Sequence, residues 1–398
     1  MAYVPASRPL PAAGHAPAEE RDSAVVPKLV ALFLGIAVGV LIPVMIWLAA
    51  SAQSASSDAK AAKAAAASAA AAPAMAMPGT AKPATLAGGA TATPSFAGVA
   101  PANADALAAA HRAVPAALPR LQPGPVARVS LSINHRTISI APGIRYDAWT
   151  FGDSAPGPVI HVRQGQTVKV TLTNDAPMPH SVDFHAARIA PNLAFMDVDP
   201  GKSFTFSFKA NDAGVFMYHC GTKPVLAHIA NGMYGAIVVE PRAGVLPHAD
   251  RQYVLVSSEW YLNGPGDRQP AQLDIVKADQ MTPDWVTWNG YAGQYVKHPL
   301  TAMPGDTVRF WVVAAGPSLD TDFHVVGTLL NRAWVNQDMT QSQRNVQTAL
   351  VPAGGGGVFD VRITKPGLYP FVSHSFASVN MGQVGLLKVG DVQGTMSH

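Results

Sequence analysis

The sequence predicts an all-β protein of two tandem antiparallel β-sandwiches, and three observations carry that expectation. Short period-2 runs such as Thr167-Val168-Lys169-Val170-Thr171-Leu172-Thr173 recur between Gly, Pro, Asn and Asp turns, the pattern of half-buried strands. The same blocks occur twice. GQTVKVTLTNDAPMPHSVDFH from Gly165 has a counterpart in GDTVRFWVVAAGPSLDTDFH from Gly305, GVFMYHC from Gly214 in GLYPFVSH from Gly367, and Gly235-Ala236-Ile237 in Gly385-Leu386-Leu387. One structural unit is therefore used twice. The length of 398 residues also exceeds what one core serves, so two domains plus extensions are expected.

In chain order, residues 1–28 carry Arg8, Arg21 and Lys28 ahead of the apolar run 29–50, LVALFLGIAVGVLIPVMIWLAA, which has no charge over 22 residues. At about 1.5 Å per residue such a run crosses a hydrocarbon layer as one transmembrane helix. The basic residues before it put the N-terminus in the cytoplasm, so a cell-membrane anchored protein with its folded part on the periplasmic, extracytoplasmic side is expected. Ala50-Ser51-Ala52 offers a signal-peptidase site as the alternative. Residues 51–118 are dominated by Ala with Pro, Gly, Ser and Thr, too poor in large apolar side chains to offset the entropy of ordering. They read as a disordered tether that includes Met75 and Met77. The two sandwiches then occupy 119–245 and 246–392, and 393–398 form a tail.

The net charge of +3 comes from 28 Lys and Arg against 25 Asp and Glu with no basic run, which disfavours nucleic acid as a partner. A single cysteine, Cys220, excludes an intrachain disulfide and any four-cysteine zinc or iron–sulfur site.

Strand parity sorts the histidines. His180 to His185 and Met217 to Cys220 lie in strand-like runs, where side chains of opposite parity point to opposite faces. One face collects His180 and Cys220, with His228 and Met233 from the following loop. These two imidazoles, one thiolate and one thioether are the donor set of a blue-copper electron-transfer centre. The other face collects His185 and His219 beside Asp183. Two imidazoles leave a site open, and His374, opposite Gly221 in the gap-free repeat alignment and so on the face of His219, is the candidate third. Three neutral imidazoles with an open position suit a catalytic metal that binds a small oxygen ligand. A neighbouring redox copper favours copper over zinc there, for two coppers per chain. Asp183 and His324, the latter in the DFH of the second repeat, are placed to supply protons to a bound oxyanion. His15, His111, His135, His161, His248, His298 and His398 lack partners at ligand spacing and read as surface or loop residues.

HSVDFH, YHCGTKPVLAHIANGMYG, DFHVVG and VSHSFASVNMGQVG together resemble the copper-containing nitrite reductases, in the branch with a short loop between Cys and the second His. The resemblance covers about residues 125 to 390 and implies two cupredoxin-like Greek-key sandwiches. It implies a type 1 copper on His180, Cys220, His228 and Met233, a type 2 copper on His185, His219 and His374, and Asp183 with His324 as the catalytic pair. It further implies reduction of nitrite to nitric oxide, a small redox donor protein (c-type cytochrome or cupredoxin), and a homotrimer with the type 2 copper between subunits. Val326 stands where many relatives carry Ile over the substrate, and Leu329 where some have a second His. Two other readings are open. A laccase-type multicopper oxidase needs paired His-x-His motifs, and none occurs. A membrane-tethered cupredoxin electron carrier needs only the type 1 set and leaves the other five residues without a role.

Overall fold

The alternation in Val126–Ala141 buries Ala127, Val129, Leu131 and Ile133 and turns the residues between them outward, so local patterning becomes one apolar face. This strand pairs with Ile144–Phe151 and Thr167–Asn174, and the latter with Ser203–Lys209, giving a four-stranded sheet. A second sheet of Ile160–Arg163, Tyr234–Glu240, Gly214–His219 and Asp183–Phe184 completes the first sandwich. Its core holds Ile133, Phe151, Val170, Phe184, Phe206 and Ile237, and also Cys220 and Met233. The second sandwich combines a six-stranded sheet containing Arg251–Trp260 and Thr307–Gly316 with a five-stranded sheet containing Thr321–Val325 and Gly367–Ser373. Leu255, Phe310, Phe323, Phe359 and Phe371 fill it. This computed structural model describes residues 102–263, 269–335 and 339–392.

The sheets are not purely antiparallel. Each contains one parallel pair: Val126–Ala141 with Thr167–Asn174, Ile160–Arg163 with Tyr234–Glu240, Arg251–Trp260 with Thr307–Gly316, and Leu300–Ala302 with Val384–Val389. Alternation reports which face of a strand is buried but not the direction of its neighbour. Connections that cross between the two sheets of a sandwich bring strands back running the same way.

The strand Gly214–His219 is buried along nearly its whole length because both of its faces are covered. Phe216 and Tyr218 point into the first core, while Val215 and Met217 meet Val254, Val256, Trp311 and Val313 of the second sandwich. The strand that leads to His219 and Cys220 is thus clamped from two sides.

Two expectations about the N-terminal part meet the structure differently. The apolar run 29–50 lies outside the described residues, and among the described residues no helix is long and apolar enough to cross a membrane. The last stretch of the expected tether, however, is ordered. Ala104–Ala110 is a helix, and the residues after it dock on the second sandwich. Val114 donates its N–H to Gln294 Oε1 (2.7 Å), Tyr295 Oη donates to the Val114 carbonyl (2.8 Å), and the Ala116 carbonyl accepts from Val254 N–H (2.7 Å). Low side-chain bulk left this unread, because much of the docking runs through main-chain hydrogen bonds, beside buried Ala116 and the His111 ring stacked on Tyr291.

Candidate metal centres

The first centre forms where three segments converge in the core. Cys220 follows the end of Gly214–His219, His180 precedes Asp183–Phe184, and His228 lies on the buried face of the short helix Val225–Ala230. Asn231 ends that helix by donating its side-chain amide to the Ala227 carbonyl at 2.8 Å. Gly232, at φ +113°, then turns the chain where a Cβ would lie 2.9 Å from Ala155 Cβ and 3.1 Å from the Trp149 carbonyl, so only glycine fits. His180 Nδ1 and His228 Nδ1 are 3.1 Å apart, and Cys220 Sγ is 3.2 Å from His228 Nδ1 and 3.9 Å from His180 Nδ1. Met233 is fully buried in the same cluster, and its carbonyl accepts from Cys220 N–H at 3.1 Å.

Outer contacts hold this group. Ser181 N–H donates to Cys220 Sγ (3.4 Å), Gly221 N–H to Ser181 Oγ (3.1 Å), and Thr222 Oγ1 to Asp197 Oδ1 (2.6 Å), with the Thr222 and Ser181 hydroxyl oxygens 3.1 Å apart. Burial, then the neighbouring imidazoles, lowers His180 to about 3. Burial also lowers His228 to about 4, against the opposing pull of Asp197. Both rings are therefore neutral, as metal ligands must be, and burial raises the Cys220 thiol.

The second centre lies on the other side of the same backbone. Asp183 pairs with His219 across the antiparallel strands, and a carboxylate oxygen of Asp183 and one ring nitrogen each of His185 and His219 lie within 4.8 Å of one another. His185 Nδ1 meets the Gly354 carbonyl at 2.9 Å and His219 Nδ1 meets the Cys220 carbonyl at 2.9 Å. A carbonyl only accepts, so each Nδ1 carries the proton and each Nε2 presents a lone pair. Those two Nε2 atoms are 3.0 Å apart. A cation between them would satisfy facing lone pairs at that distance, and backbone-anchored Nδ1–H groups are the usual outer support of ligating histidines. His219 is lowered by burial first, while Asp183 pulls it the other way.

The remaining predicted residues form a separate cluster. His374 is exposed at the end of Gly367–Ser373, its ring centroid 5.3 Å from that of half-buried His324. Among the described residues, no set of ligand atoms within 4.8 Å of one another joins His374 to His185 and His219. Leu329 is 42% exposed.

The register of the two sandwiches corrects the repeat alignment. Asp183 pairs with His219 and Phe184 with Tyr218, whereas His324 pairs with Val372 and Val325 with Phe371. The strands that follow align without a gap, since Tyr218 faces Gly235 as Phe371 faces Gly385. The two DFH motifs are therefore out of step by two residues. His324 occupies the place of Asp183, and half-buried Val326 the place of His185: His185 N–H donates to the Met217 carbonyl as Val326 N–H does to that of Pro370. A shared triplet outweighed a shared register, and only strand pairing separates them.

Several histidines set aside as partnerless are engaged. His135 Nε2 is 3.2 Å from His180 Nε2. His161 is buried and donates Nδ1–H to the Pro119 carbonyl at 2.7 Å. His111 stacks on Tyr291 at 3.6 Å, whereas His298 Nε2 is buried without a hydrogen-bond partner among the described residues. Exposed His248 lies 3.4 Å from Asp250, and His15 and His398 lie outside the described residues. Counting outward from the Pro142-Gly143 turn sets His135 opposite Thr150; the register shift between Ser139 and Ala141 moves it opposite Trp149, which the letters did not signal.

A family profile described as multicopper oxidase matches residues 132–244. The copper-containing nitrite reductase of Neisseria meningitidis serogroup B is 40% identical over 282 residues, covering 69% of this chain and 72% of that protein. The chain belongs to the copper-containing nitrite reductase family. The Pseudomonas chlororaphis member is 31% identical over 290 residues, covering 67% of this chain and 79% of its own length. Among solved structures, the copper nitrite reductase from Nitrosomonas europaea matches with a TM-score of 0.62 at 33% identity, covering 67% of this chain and 94% of that one. For a copper nitrite reductase the donor chemistry fits: soft sulfur with imidazole at one centre and imidazole alone at the other both suit copper. No His-x-His motif occurs in this sequence.

Proposed function

We propose that this protein reduces nitrite to nitric oxide and water, consuming one electron and two protons, as a homotrimer. The observation that carries the reading is the pair of incomplete halves: His185 and His219 with Asp183 on one part of the surface, His374 with His324 on another. A neighbouring copy bringing His374 to His185 and His219 completes three-imidazole coordination of a type 2 copper and sets His324 across from Asp183. His180, Cys220, His228 and Met233 hold the type 1 copper. Copper supplies one-electron transfer at the thiolate centre and, at the three-imidazole centre, a Lewis-acidic open position for nitrite.

The chain's own groups do the rest. Cys220 and His219 are neighbours on one backbone, giving a short covalent path between the centres. The Asp183 carboxyl holds a proton beside the nitrite oxygen. His324 Nδ1 donates to the Gln347 carbonyl at 2.6 Å, which leaves Nε2 as the nitrogen that takes up and passes a proton. Val326 presents a short apolar side chain on the substrate side. The electron comes from a small redox protein, a c-type cytochrome or a cupredoxin, on the periplasmic side of a membrane to which residues 29–50 anchor the chain.

The test mixes the copper-loaded protein with reductant and nitrite while following visible absorption, nitric oxide and metal content. The expected result is two coppers per chain, a band that bleaches on reduction and returns with nitrite, and gas formation. His374→Ala should keep the band but lose one copper per chain and the gas. Nitric oxide formation unchanged by His374→Ala would refute the reading.

A further inference from the structure

We propose that His135 is a positioning residue for the type 1 copper, accepting a hydrogen bond from His180 Nε2–H. The inference rests on the assignment of His180, Cys220, His228 and Met233 to that copper. His180 turns Nδ1 toward His228 Nδ1 (3.1 Å) and Cys220 Sγ (3.9 Å), so Nδ1 is its donor atom toward a metal. A neutral imidazole that gives the Nδ1 lone pair to a metal keeps its proton on Nε2. That Nε2 lies 3.2 Å from His135 Nε2, so His180 donates, His135 accepts, and His135 carries its own proton on Nδ1.

The acceptor is itself held in place. His135 on Val126–Ala141 stands directly across from Trp149 on Ile144–Phe151, and their rings stack at 5.1 Å and 8°. Trp149 in turn meets the edges of His180 (5.6 Å) and His228 (4.9 Å). One hairpin therefore presents His135 and Trp149 as a wall over both imidazoles. The two ligands are not equivalent behind that wall: His180 Nε2 has His135, whereas His228 Nε2 is buried with no hydrogen-bond partner among the described residues. A hydrogen bond to the outer nitrogen fixes ring orientation and raises donor strength, favouring the oxidised ion and tightening metal retention.

The test uses the full chain loaded with copper. His135→Phe keeps an aromatic face against Trp149 but removes the acceptor, and His135→Gln restores one through its amide oxygen. His135→Phe should raise the reduction potential of the thiolate-ligated copper and weaken its retention against a chelator by about 10–100-fold. His135→Gln should recover most of both changes. In the unsubstituted cuprous protein, nitrogen-15 NMR should find the His180 Nε2–H protected from solvent exchange, a measurement that needs no variant to fold. An unchanged potential and copper affinity in His135→Phe, or a rapidly exchanging His180 Nε2–H, would overturn the inference while leaving the ligand assignment intact. Absence of a thiolate–copper band in the unsubstituted protein would overturn that assignment and this inference together.

Discussion

Asp183→Asn separates proton delivery from metal binding. Asp183 is half-buried, pairs with His219 through its backbone, and places a carboxylate oxygen within 4.8 Å of the His185 and His219 ring nitrogens. Asparagine keeps the shape and the strand pairing but cannot hold and release an acidic proton. Removing the carboxylate also removes one upward pull on His219, whose lowering comes first from burial; the ring stays neutral and able to ligate. Copper content should therefore remain at two per chain. A positioned acid contributes about 10²–10⁴-fold to rate, which at 1.36 kcal/mol per decade is about 2.7–5.4 kcal/mol of barrier. Steady-state nitric oxide formation, normalised to copper measured on the same sample, should fall by that factor with the visible band unchanged. Activity within about threefold of the parent, roughly 0.65 kcal/mol, would refute the role of Asp183. So would a loss of activity that simply follows a loss of copper.

Other consequences can be checked independently. Because burial lowers His180 to about 3 and His228 to about 4, leaving both rings neutral between pH 6 and 8, while pushing the Cys220 thiol up, copper uptake at that centre should release about one proton in that range. Affinity should then rise about tenfold per pH unit, and calorimetry in buffers of different ionisation enthalpy should find no further protons from the two imidazoles. Arg309 and Asp360 are both nearly fully buried and joined by two hydrogen bonds of 2.7 and 2.8 Å. Arg309→Leu strands the carboxylate and should cost about 3–5 kcal/mol in denaturant unfolding, much of it recovered by adding Asp360→Leu. Gly290 has φ +83°, and a Cβ there would lie 1.9 Å from the Ala155 carbonyl oxygen. Gly290→Ala should thus lose at least about 2 kcal/mol, and an unchanged unfolding midpoint would show that the backbone relaxes freely.

The grouping of the candidate donors was legible from spacing because it depends on local geometry. Cys220 and His219 are successive residues of one strand, so their side chains must leave on opposite sides. The structure sets Cys220 beside His180 and His228, and His219 beside His185. Met233 and His228 follow within a single turn-and-helix loop, close enough in the chain for spacing to carry meaning. The DFH triplets show where letters mislead, since an identical triplet sat two residues out of register.

Side-chain alternation is a property of neighbours along the chain, so the amino-acid sequence by itself determined which residues share a face, which donors could gather and that two sandwiches repeat. It carried no account of which distant segment comes to lie against that face. His135 meets His180 across 45 residues and His185 meets the Gly354 carbonyl across 169, and each sheet takes a parallel pair that alternation does not encode. Those partners are chosen by the packing of whole sheets, where the burial of many apolar side chains settles a register that no single residue can set.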